Sequence, residues 1–216
     1  MSPLGILLLV GLAYLVGSIP FGVLVARLSG GPDLRTIGSG RTGGTNALRA
    51  LGPVRAAFVV TGDLAKGALP VLVARSVSGG DPAIEAACAI AAVIGSARSV
   101  FLGFHGGRGV ATGVGTMLVI QPVALVLATP VFFGVIVVTR YVSLGSLLAS
   151  AAMVPSLAVT FLALSGSIPL AYVLYAIVGV VVVWIAHADN IDRLRHGTER
   201  KFDLGLLAGR GSSGNS

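Results

Sequence analysis

The sequence predicts an all-α protein that crosses a membrane several times. Hydrophobic residues make up 55% of the 216 residues, and only 11% are charged. The mean hydropathy is +0.94. Soluble domains carry roughly 25% charged residues, so a soluble core with one anchor does not fit. Long apolar runs recur along the chain, which predicts a single integral-membrane domain over residues 1–203.

Five stretches are apolar enough to cross a bilayer, for which about 20 residues are needed. They are Leu4–Ala26, Val54–Ala74, Ala83–Phe101, Ser143–Leu164 and Pro169–Ala186. A sixth stretch, Val110–Thr139, is too long for one helix, and Gln121-Pro122 is expected to break it. Its first part, Val110–Ile120, would rise only about 17 Å as a helix. It is therefore either a short span shielded by other helices or a re-entrant loop.

Basic residues predict the orientation, because Lys and Arg favour the cytoplasmic side of a membrane. The loop after the first span is rich in arginine, whereas the next connection carries only Arg75, balanced by Asp81 and Glu85. Placing both Arg108 and Arg140 inside requires an even number of passes between them. We therefore expect seven helical segments, one of them short, with the N-terminus outside and the C-terminus in the cytoplasm. A six-span version with a re-entrant loop gives the same loop placement.

The composition also argues against several other classes of site and partner. The net charge of +7 comes from arginines scattered between spans, so no nucleic-acid partner is expected. Cys88 is the single cysteine, and the three histidines are not spaced as metal ligands, so neither a metal nor a cofactor is expected. The first segment lacks a cleavage site and is expected to be retained. The tail 204–216 is expected to be disordered.

Two glycine-rich basic segments, Ile37–Asn46 and Phe104–Thr112, interrupt the apolar chain. Glycine lets backbone N–H groups converge on an anion, and the N-terminus of a following helix adds a favourable dipole. The plain alternatives are a flexible loop for the first segment and close helix packing for the second. The candidate phosphate-binding residues are Ser39, Gly40, Thr45, Asn46 and Arg49 in the first segment, and Gly106, Gly107, Arg108 and Gly109 in the second.

Other polar residues also need an explanation. Asp63 and Lys66 lie inside the second span, where an isolated charge costs roughly 2.5–3.5 kcal/mol. They are either a structural ion pair at i,i+3 or part of a ligand pocket in which Lys66 binds phosphate. Ser143, His187 and Asn190 follow or precede spans on the cytoplasmic side, and we take them as candidate catalytic residues. Capping of helix ends is the alternative for His187 and Asn190.

In this order, the motifs resemble those of the bacterial acyl-phosphate:glycerol-3-phosphate acyltransferases, the PlsY family. The resemblance is carried by Gly38–Arg49, Asp63–Gly67, Phe101–Thr112, Arg140–Ser146 and His187–Lys201. It implies a multi-pass enzyme of the bacterial inner membrane whose active site faces the cytoplasm. Such an enzyme would move an acyl chain from acyl phosphate to the 1-hydroxyl of sn-glycerol 3-phosphate. The products would be lysophosphatidic acid and phosphate, in the first step of phospholipid synthesis.

An acyl phosphate is already activated, so such an enzyme needs no acyl-enzyme intermediate and works by holding two anionic substrates side by side. We expect Ser39, Arg49 and Arg108 to hold phosphate groups, and Ser143, His187 and Asn190 to orient glycerol hydroxyls together with Thr45 and Asn46. The base is either His187 or a substrate phosphate. The acyl chain would lie in a groove between helices.

Two departures from the family pattern keep other interpretations open. Arg41 stands where the family usually has asparagine, and Ser96 stands where it usually has histidine. A divergent or impaired member of the family is therefore one alternative, and a transferase with another acyl donor is a second. A transporter or binding protein for a phosphorylated metabolite is a third, but the outside loops offer few polar residues for access from that side. The sequence carries no signal for the oligomeric state.

Overall fold

The computed structural model describes residues 1–164 and 168–203, which form helices and contain no strand in those ranges. Four of these helices are long and apolar enough to cross a membrane, or up to six if each bent pair is one span. The all-α class is thereby confirmed, while the number of seven segments and the orientation stay predictions. The predicted disordered tail, 204–216, lies outside the described residues. The helices are α1 (Pro3–Gly17), α2 (Phe21–Leu28), α3 (Gly44–Leu51), α4 (Pro53–Ser78), α5 (Pro82–Ala97), α6 (Val110–Ile120), α7 (Pro122–Thr139), α8 (Val142–Leu164), α9 (Leu170–Ala186) and α10 (Ala188–Arg195).

The first predicted span, Leu4–Ala26, is a bent pair of helices rather than one continuous helix. The axes of α1 and α2 meet at 43°. The break falls at Ile19-Pro20, because proline has no N–H to donate and its ring disfavours a helical residue before it. The prediction of Leu4–Ala26 as one continuous span is therefore corrected to a broken span.

Side chains from α4 and from the loop after α5 satisfy the carbonyl groups that this break leaves free. Ser99 Oγ donates to the carbonyl oxygen of Ser18 at 2.6 Å, and Lys66 Nζ donates to that of Ile19 at 3.0 Å. Lys66 also pairs with Asp63 at 2.7 Å, and both side chains are buried. Unsatisfied carbonyls are costly away from water, so these contacts stabilise a bend that lipid alone would not tolerate.

The short helix α6 ends at Ile120, and the break at Gln121-Pro122 agrees with the sequence prediction. Its far end is closed by Arg75, whose Nη2 donates to the carbonyl oxygen of Val119 at 3.0 Å. The same guanidinium pairs with Glu85 at 2.7 Å, and the Tyr172 hydroxyl donates to that carboxylate at 2.9 Å. Side chains of α4, α5 and α9 thus hold the end of a helix that is too short to reach across a bilayer alone.

The backbones of α4 and α6 are in direct contact, because two glycines face carbonyl oxygens of the other helix. A Cβ added at Gly67 would overlap the carbonyl oxygen of Thr112, and one at Gly115 would overlap that of Leu64. Small residues of this kind let membrane helices pack closely. The contact fixes the start of α6, and with it the second glycine-rich segment, against the middle of α4.

Replacing Gly67 with alanine is therefore expected to lower stability, even though alanine is the better helix former. The added methyl overlaps a backbone atom, and overpacking of this kind costs about 1–3 kcal/mol. Gly134 in α7 provides the matched control, since a Cβ there meets nothing within 4 Å. In detergent, the apparent unfolding temperature should fall by several degrees for Gly67→Ala and stay level or rise for Gly134→Ala. Equal shifts in the two variants would contradict this packing account.

Candidate active site

A cavity of about 640 Å³ lies at the end of the bundle where the glycine-rich segments, the α7–α8 turn and the α9–α10 break meet. Its outer part is lined by charged and hydroxyl side chains. Its inner part is apolar and runs between α6, α7, α8 and α9, past Met117, Leu125, Phe132 and Met153. A site with a cationic mouth and an apolar interior suits a ligand with an anionic head and a hydrocarbon chain.

Most of the site residues predicted from the sequence reach this cavity: Ser39, Thr45, Asn46, Arg49, Lys66, Gly107, Arg108, Gly109, Ser143, His187 and Asn190. Gly40 and Gly106 are not part of its lining. Gly40 has φ +67°, a conformation that favours glycine. A Cβ at Gly106 would overlap the carbonyl oxygen of Ser96. Both glycines are thus explained by the backbone, and at Gly106 the close-packing alternative describes the contact.

The backbone amides singled out as an anion cradle are mostly used within the protein. The N–H of Ser39 donates to Asn46 Oδ1, and the N–H of Gly40 to the carbonyl oxygen of Ile37. The N–H groups of Gly106 and Gly107 donate to carbonyl oxygens at the end of α5. The expected cradle of loop amides is therefore absent at these four residues.

The starts of α3 and α6 remain available to an anion. Neither helix has a side-chain cap, since the residues before them are Gly43 and Gly109. The first residues of both helices, Thr45 and Val110 among them, line the cavity. The first N–H groups of a helix have no partner within it, so two helix N-termini contribute donors and partial positive charge here.

Asn46 organises the first glycine-rich segment from within. Its side-chain nitrogen donates to the carbonyl oxygens of Leu34, Ile37 and Arg41 at 2.9–3.2 Å. Its side-chain oxygen accepts from Ser39, and the residue is 3% exposed. Asn46 therefore fixes the shape of the loop that presents Arg41 and Ser39, and its amide is fully occupied by that task.

Asp189 is the point at which three guanidinium groups meet. Arg108 Nη2 lies 3.1 Å from one of its oxygens, Arg193 Nη2 lies 3.3 Å from the same oxygen, and Arg41 Nη2 lies 3.7 Å from the other. Burial opposes ionisation of Asp189, but the charges of these arginines hold its pKa below the usual value. This one carboxylate thus joins the first and second glycine-rich segments to α10.

Glu199 forms a second centre beside it. Ser143 Oγ and Asn190 Nδ2 each donate to Glu199 Oε1 at 2.7 Å, and Arg193 Nε donates to Oε2 at 2.8 Å. Burial opposes ionisation of Glu199 as well, but these donors hold its pKa below the usual value. Glu199 thereby holds in place Ser143 and Asn190, two of the three candidate catalytic residues.

Three buried polar atoms in the described residues have no hydrogen-bond partner, and all belong to this site. They are Arg108 Nε, Asp189 Oδ1 and Asn190 Oδ1. Arg108 and Asn190 line the cavity. Buried polar groups are nearly always paired, so their unpaired donor and acceptor are candidates for contact with a ligand. Burial also lowers the pKa of Arg108, because desolvation disfavours its charge, and a bound anion would relieve that cost.

His187 lies in the one-residue break after α9 and is 2% exposed. Its Nδ1 is 2.8 Å from the carbonyl oxygen of Val183. A carbonyl only accepts, so Nδ1 carries the proton and Nε2 is left as an acceptor. Burial lowers the pKa of His187 to about 4, so the ring is neutral near pH 7.

The two remaining questions from the sequence concern Lys66 and Ser96. Lys66 lines the cavity, but its ammonium is held by Asp63 and the Ile19 carbonyl, which favours the structural ion pair. Ser96, the residue in place of the usual histidine, also lines the cavity. Its Oγ accepts a hydrogen bond from Thr112 Oγ1 at 2.9 Å. Ser96 therefore links α5 to α6 by a side-chain hydrogen bond.

Comparison with known proteins decides the family. The family model described as glycerol-3-phosphate acyltransferase matches residues 7–197. The chain belongs to the glycerol-3-phosphate acyltransferase family. The resemblance to the PlsY family inferred from the motifs is thereby confirmed.

Curated relatives and solved structures agree with this assignment. A glycerol-3-phosphate acyltransferase of Geobacter sulfurreducens is 44% identical over 196 residues, 91% of this chain and 97% of the relative. One of Thermus thermophilus is 45% identical over 191 residues, 88% and 92% of the two chains. A crystal structure of the integral membrane enzyme PlsY in its glycerol 3-phosphate form matches with a TM-score of 0.84 and 37% identity, covering 94% of this chain and 98% of that one. A lysophosphatidic acid form matches with a TM-score of 0.81 and 34% identity, covering 95% and 100%. This acyltransferase is thus a multi-pass membrane protein.

Sequence reasoning missed the two acids on which the site depends. Asp189 and Glu199 sit in a basic C-terminal segment, where acidic residues look like ordinary solvated partners. Glu199 was part of the motif that carries the family resemblance, but no role followed from it. The sequence carries no signal that distinguishes these two acids, because partners such as Arg41, Arg108 and Ser143 come from separate segments of the chain.

The neutral, buried state of His187 predicts how stability depends on pH. Above about pH 6.5 the ring is neutral in both the folded and the unfolded chain, and it contributes no slope. Between pH 6.5 and 4 the unfolded chain binds a proton and the folded chain does not, so the free energy of unfolding falls as pH falls, by up to about 3 kcal/mol. Thermal unfolding in detergent at several pH values should therefore show a weaker acid destabilisation in His187→Gln than in the wild type. His196→Gln is the control, because that imidazole is exposed, and equal acid sensitivity of all three proteins would contradict the neutral assignment.

Proposed function

We propose that this acyltransferase moves an acyl group from acyl phosphate to the 1-hydroxyl of sn-glycerol 3-phosphate. The hydroxyl oxygen attacks the carbonyl carbon of the donor, and the bond from that carbon to the phosphate oxygen breaks. Lysophosphatidic acid and inorganic phosphate are the products. The relatives support the acceptor, since they are named for glycerol 3-phosphate, and the shape of the cavity supports a donor with an anionic head and an acyl chain.

The observation that carries the proposal is the unpaired Nε of Arg108. A buried guanidinium N–H with no acceptor, at the mouth of a cavity, needs an anionic oxygen there. Guanidinium groups are favoured phosphate ligands. In Arg108 the Nη2 atom contacts Asp189, and the Nε atom is free to donate to a phosphate oxygen. The uncapped start of α6, two residues after Arg108, adds backbone N–H donors to the same part of the cavity.

The other unpaired atoms suit the glycerol hydroxyls. Ser143 donates its proton to Glu199, so its oxygen is left to accept. Asn190 Oδ1 and His187 Nε2 are acceptors as well. Donors therefore surround the phosphate position, and acceptors are offered to hydroxyl groups. This division of labour orients glycerol 3-phosphate without a covalent intermediate.

The proton of the attacking hydroxyl goes to a phosphate oxygen. Two acceptors were open from the sequence, His187 and a substrate phosphate. The pKa of His187 is lowered to about 4 by burial, whereas a phosphate monoester has a second pKa near 6. The phosphate is therefore the stronger base at neutral pH, and His187 acts through its hydrogen bond.

The charge distribution supports a site that faces the cytoplasm of a bacterial inner membrane. Arginines flank every segment at the cavity end of the bundle, and Arg75 alone lies at the opposite end of the described helices. Positive residues accumulate on the cytoplasmic side. Counting the bent pair α1–α2 as one segment and α6 as a short one gives seven passes, with the N-terminus outside and the C-terminus inside.

The donor is tested with purified protein in detergent, glycerol 3-phosphate, and either acyl phosphate or acyl-CoA of the same chain length. Acyl phosphate should give lysophosphatidic acid and an equal amount of inorganic phosphate, and acyl-CoA should give neither at a comparable rate. Turnover with acyl-CoA alone would overturn the donor assignment. Uptake of glycerol 3-phosphate into sealed vesicles without acyl transfer would favour the transporter.

Arg108→Ala is expected to lower kcat/KM by about 100-fold or more, because it removes a charged, partly buried phosphate contact. Arg98→Ala is the matched control from the same connection between α5 and α6, since Arg98 is exposed and not part of the cavity lining. Initial rates of phosphate release measure both. Retention of full activity by Arg108→Ala would remove the phosphate role.

A further inference from the structure

Arg41 is a cation at the site that the activity proposed so far does not use. It lines the cavity together with Arg108, and its side chain is 30% exposed. Its carbonyl oxygen accepts a hydrogen bond from the buried Asn46 side chain at 2.9 Å. The backbone that carries this guanidinium is therefore fixed at the mouth of the cavity.

The charges around Asp189 do not balance. Three guanidinium groups share this one carboxylate, and Arg193 has a second, closer partner in Glu199. Arg41 and Arg108 are left with Asp189, and the contact to Arg41 is 3.7 Å, longer than a hydrogen bond. Within the described residues, no other carboxylate pairs with Arg41. The mouth of the cavity thus carries more positive charge than its acids neutralise.

Two of the three unpaired polar atoms belong to this charge cluster, one on Asp189 and one on Arg108. Asp189 Oδ1, the oxygen nearest Arg41, is buried without a hydrogen bond, and so is Arg108 Nε. A phosphoryl group brings three acceptor oxygens and up to two negative charges. One such group would give Arg108 its missing acceptor and Arg41 the partner that Asp189 supplies only at long range.

We propose that Arg41 is a phosphate ligand of this enzyme and binds a substrate phosphoryl group jointly with Arg108. The inference rests on the proposed function and adds to it a second segment in contact with the phosphoryl group, because Arg41 belongs to the first glycine-rich segment and Arg108 to the second. It also gives a role to one of the two departures from the family pattern. Asp189 holds both guanidinium groups at the mouth, where the phosphoryl group meets them.

Two substrates carry a phosphoryl group, and the experiment separates them. Initial rates are measured for purified full-length protein, varying glycerol 3-phosphate at saturating acyl phosphate and then the reverse. Arg41→Asn restores the residue that the family usually carries and removes the charge. Arg35→Asn is the matched control, since Arg35 lies in the same loop, pairs with Asp33 at 2.6 Å and is not part of the cavity lining.

The KM of one substrate should rise about tenfold in Arg41→Asn, as expected for one lost charge-assisted hydrogen bond, with kcat within about twofold. The substrate whose KM rises identifies the phosphoryl group that Arg41 binds. Arg35→Asn should match the wild type. Inhibition by inorganic phosphate should weaken by a similar factor if the bound group is the one that leaves.

Both KM values unchanged in Arg41→Asn would overturn the inference while leaving the proposed function intact. Absence of acyl transfer in the wild type would instead contradict the proposed function. Should Arg41→Asn fail to fold, Arg41→Lys decides the same question. Lysine keeps the positive charge but lacks the planar guanidinium that donates two parallel hydrogen bonds. A raised KM for one substrate supports the assignment there, and two unchanged values contradict it.

Discussion

The site depends on a gathering of arginines around two partly buried carboxylates, Asp189 and Glu199. Arg41, Arg108 and Arg193 come from three separate segments and would repel one another at the half-buried mouth of a cavity. Asp189 and Glu199 offset that repulsion and tie the segments together. Breaking such a cluster by removing one partner leaves an uncompensated buried charge. The acids therefore hold in place the loops that form the proposed phosphate site.

The rest of the bundle is shaped by the need to satisfy backbone groups away from water. Lys66 and Arg75 are charged residues within α4, and each donates to a carbonyl at an irregular point of another helix. Lys66 serves the break between α1 and α2, and Arg75 serves the end of the short helix α6. Because α6 begins two residues after Arg108, the contact at its far end also positions the proposed phosphate site. A charge inside a span can thus act on the site through the backbone alone.

The sequence predicted the elements with local signals and missed those set by distant contacts. Apolar runs predicted an all-helical membrane protein, and Gln121-Pro122 predicted the start of α7. The i,i+3 spacing of Asp63 and Lys66 offered an ion pair as one of two alternatives. The roles of Asp189 and Glu199 could not be predicted, because they depend on loops that are far apart in the chain. The loop amides expected to hold an anion turned out to be used by the fold, since Asn46 and the end of α5 take them. In the proposed site, guanidinium groups and helix starts supply the donors instead.

The most direct test is an experimental structure of the protein with glycerol 3-phosphate bound. The account predicts a phosphate oxygen within hydrogen-bond distance of Arg108 Nε, beside the start of α6, with the glycerol hydroxyls toward Asn190 and His187. A phosphate bound elsewhere, with Arg108 Nε still unpaired, would contradict it.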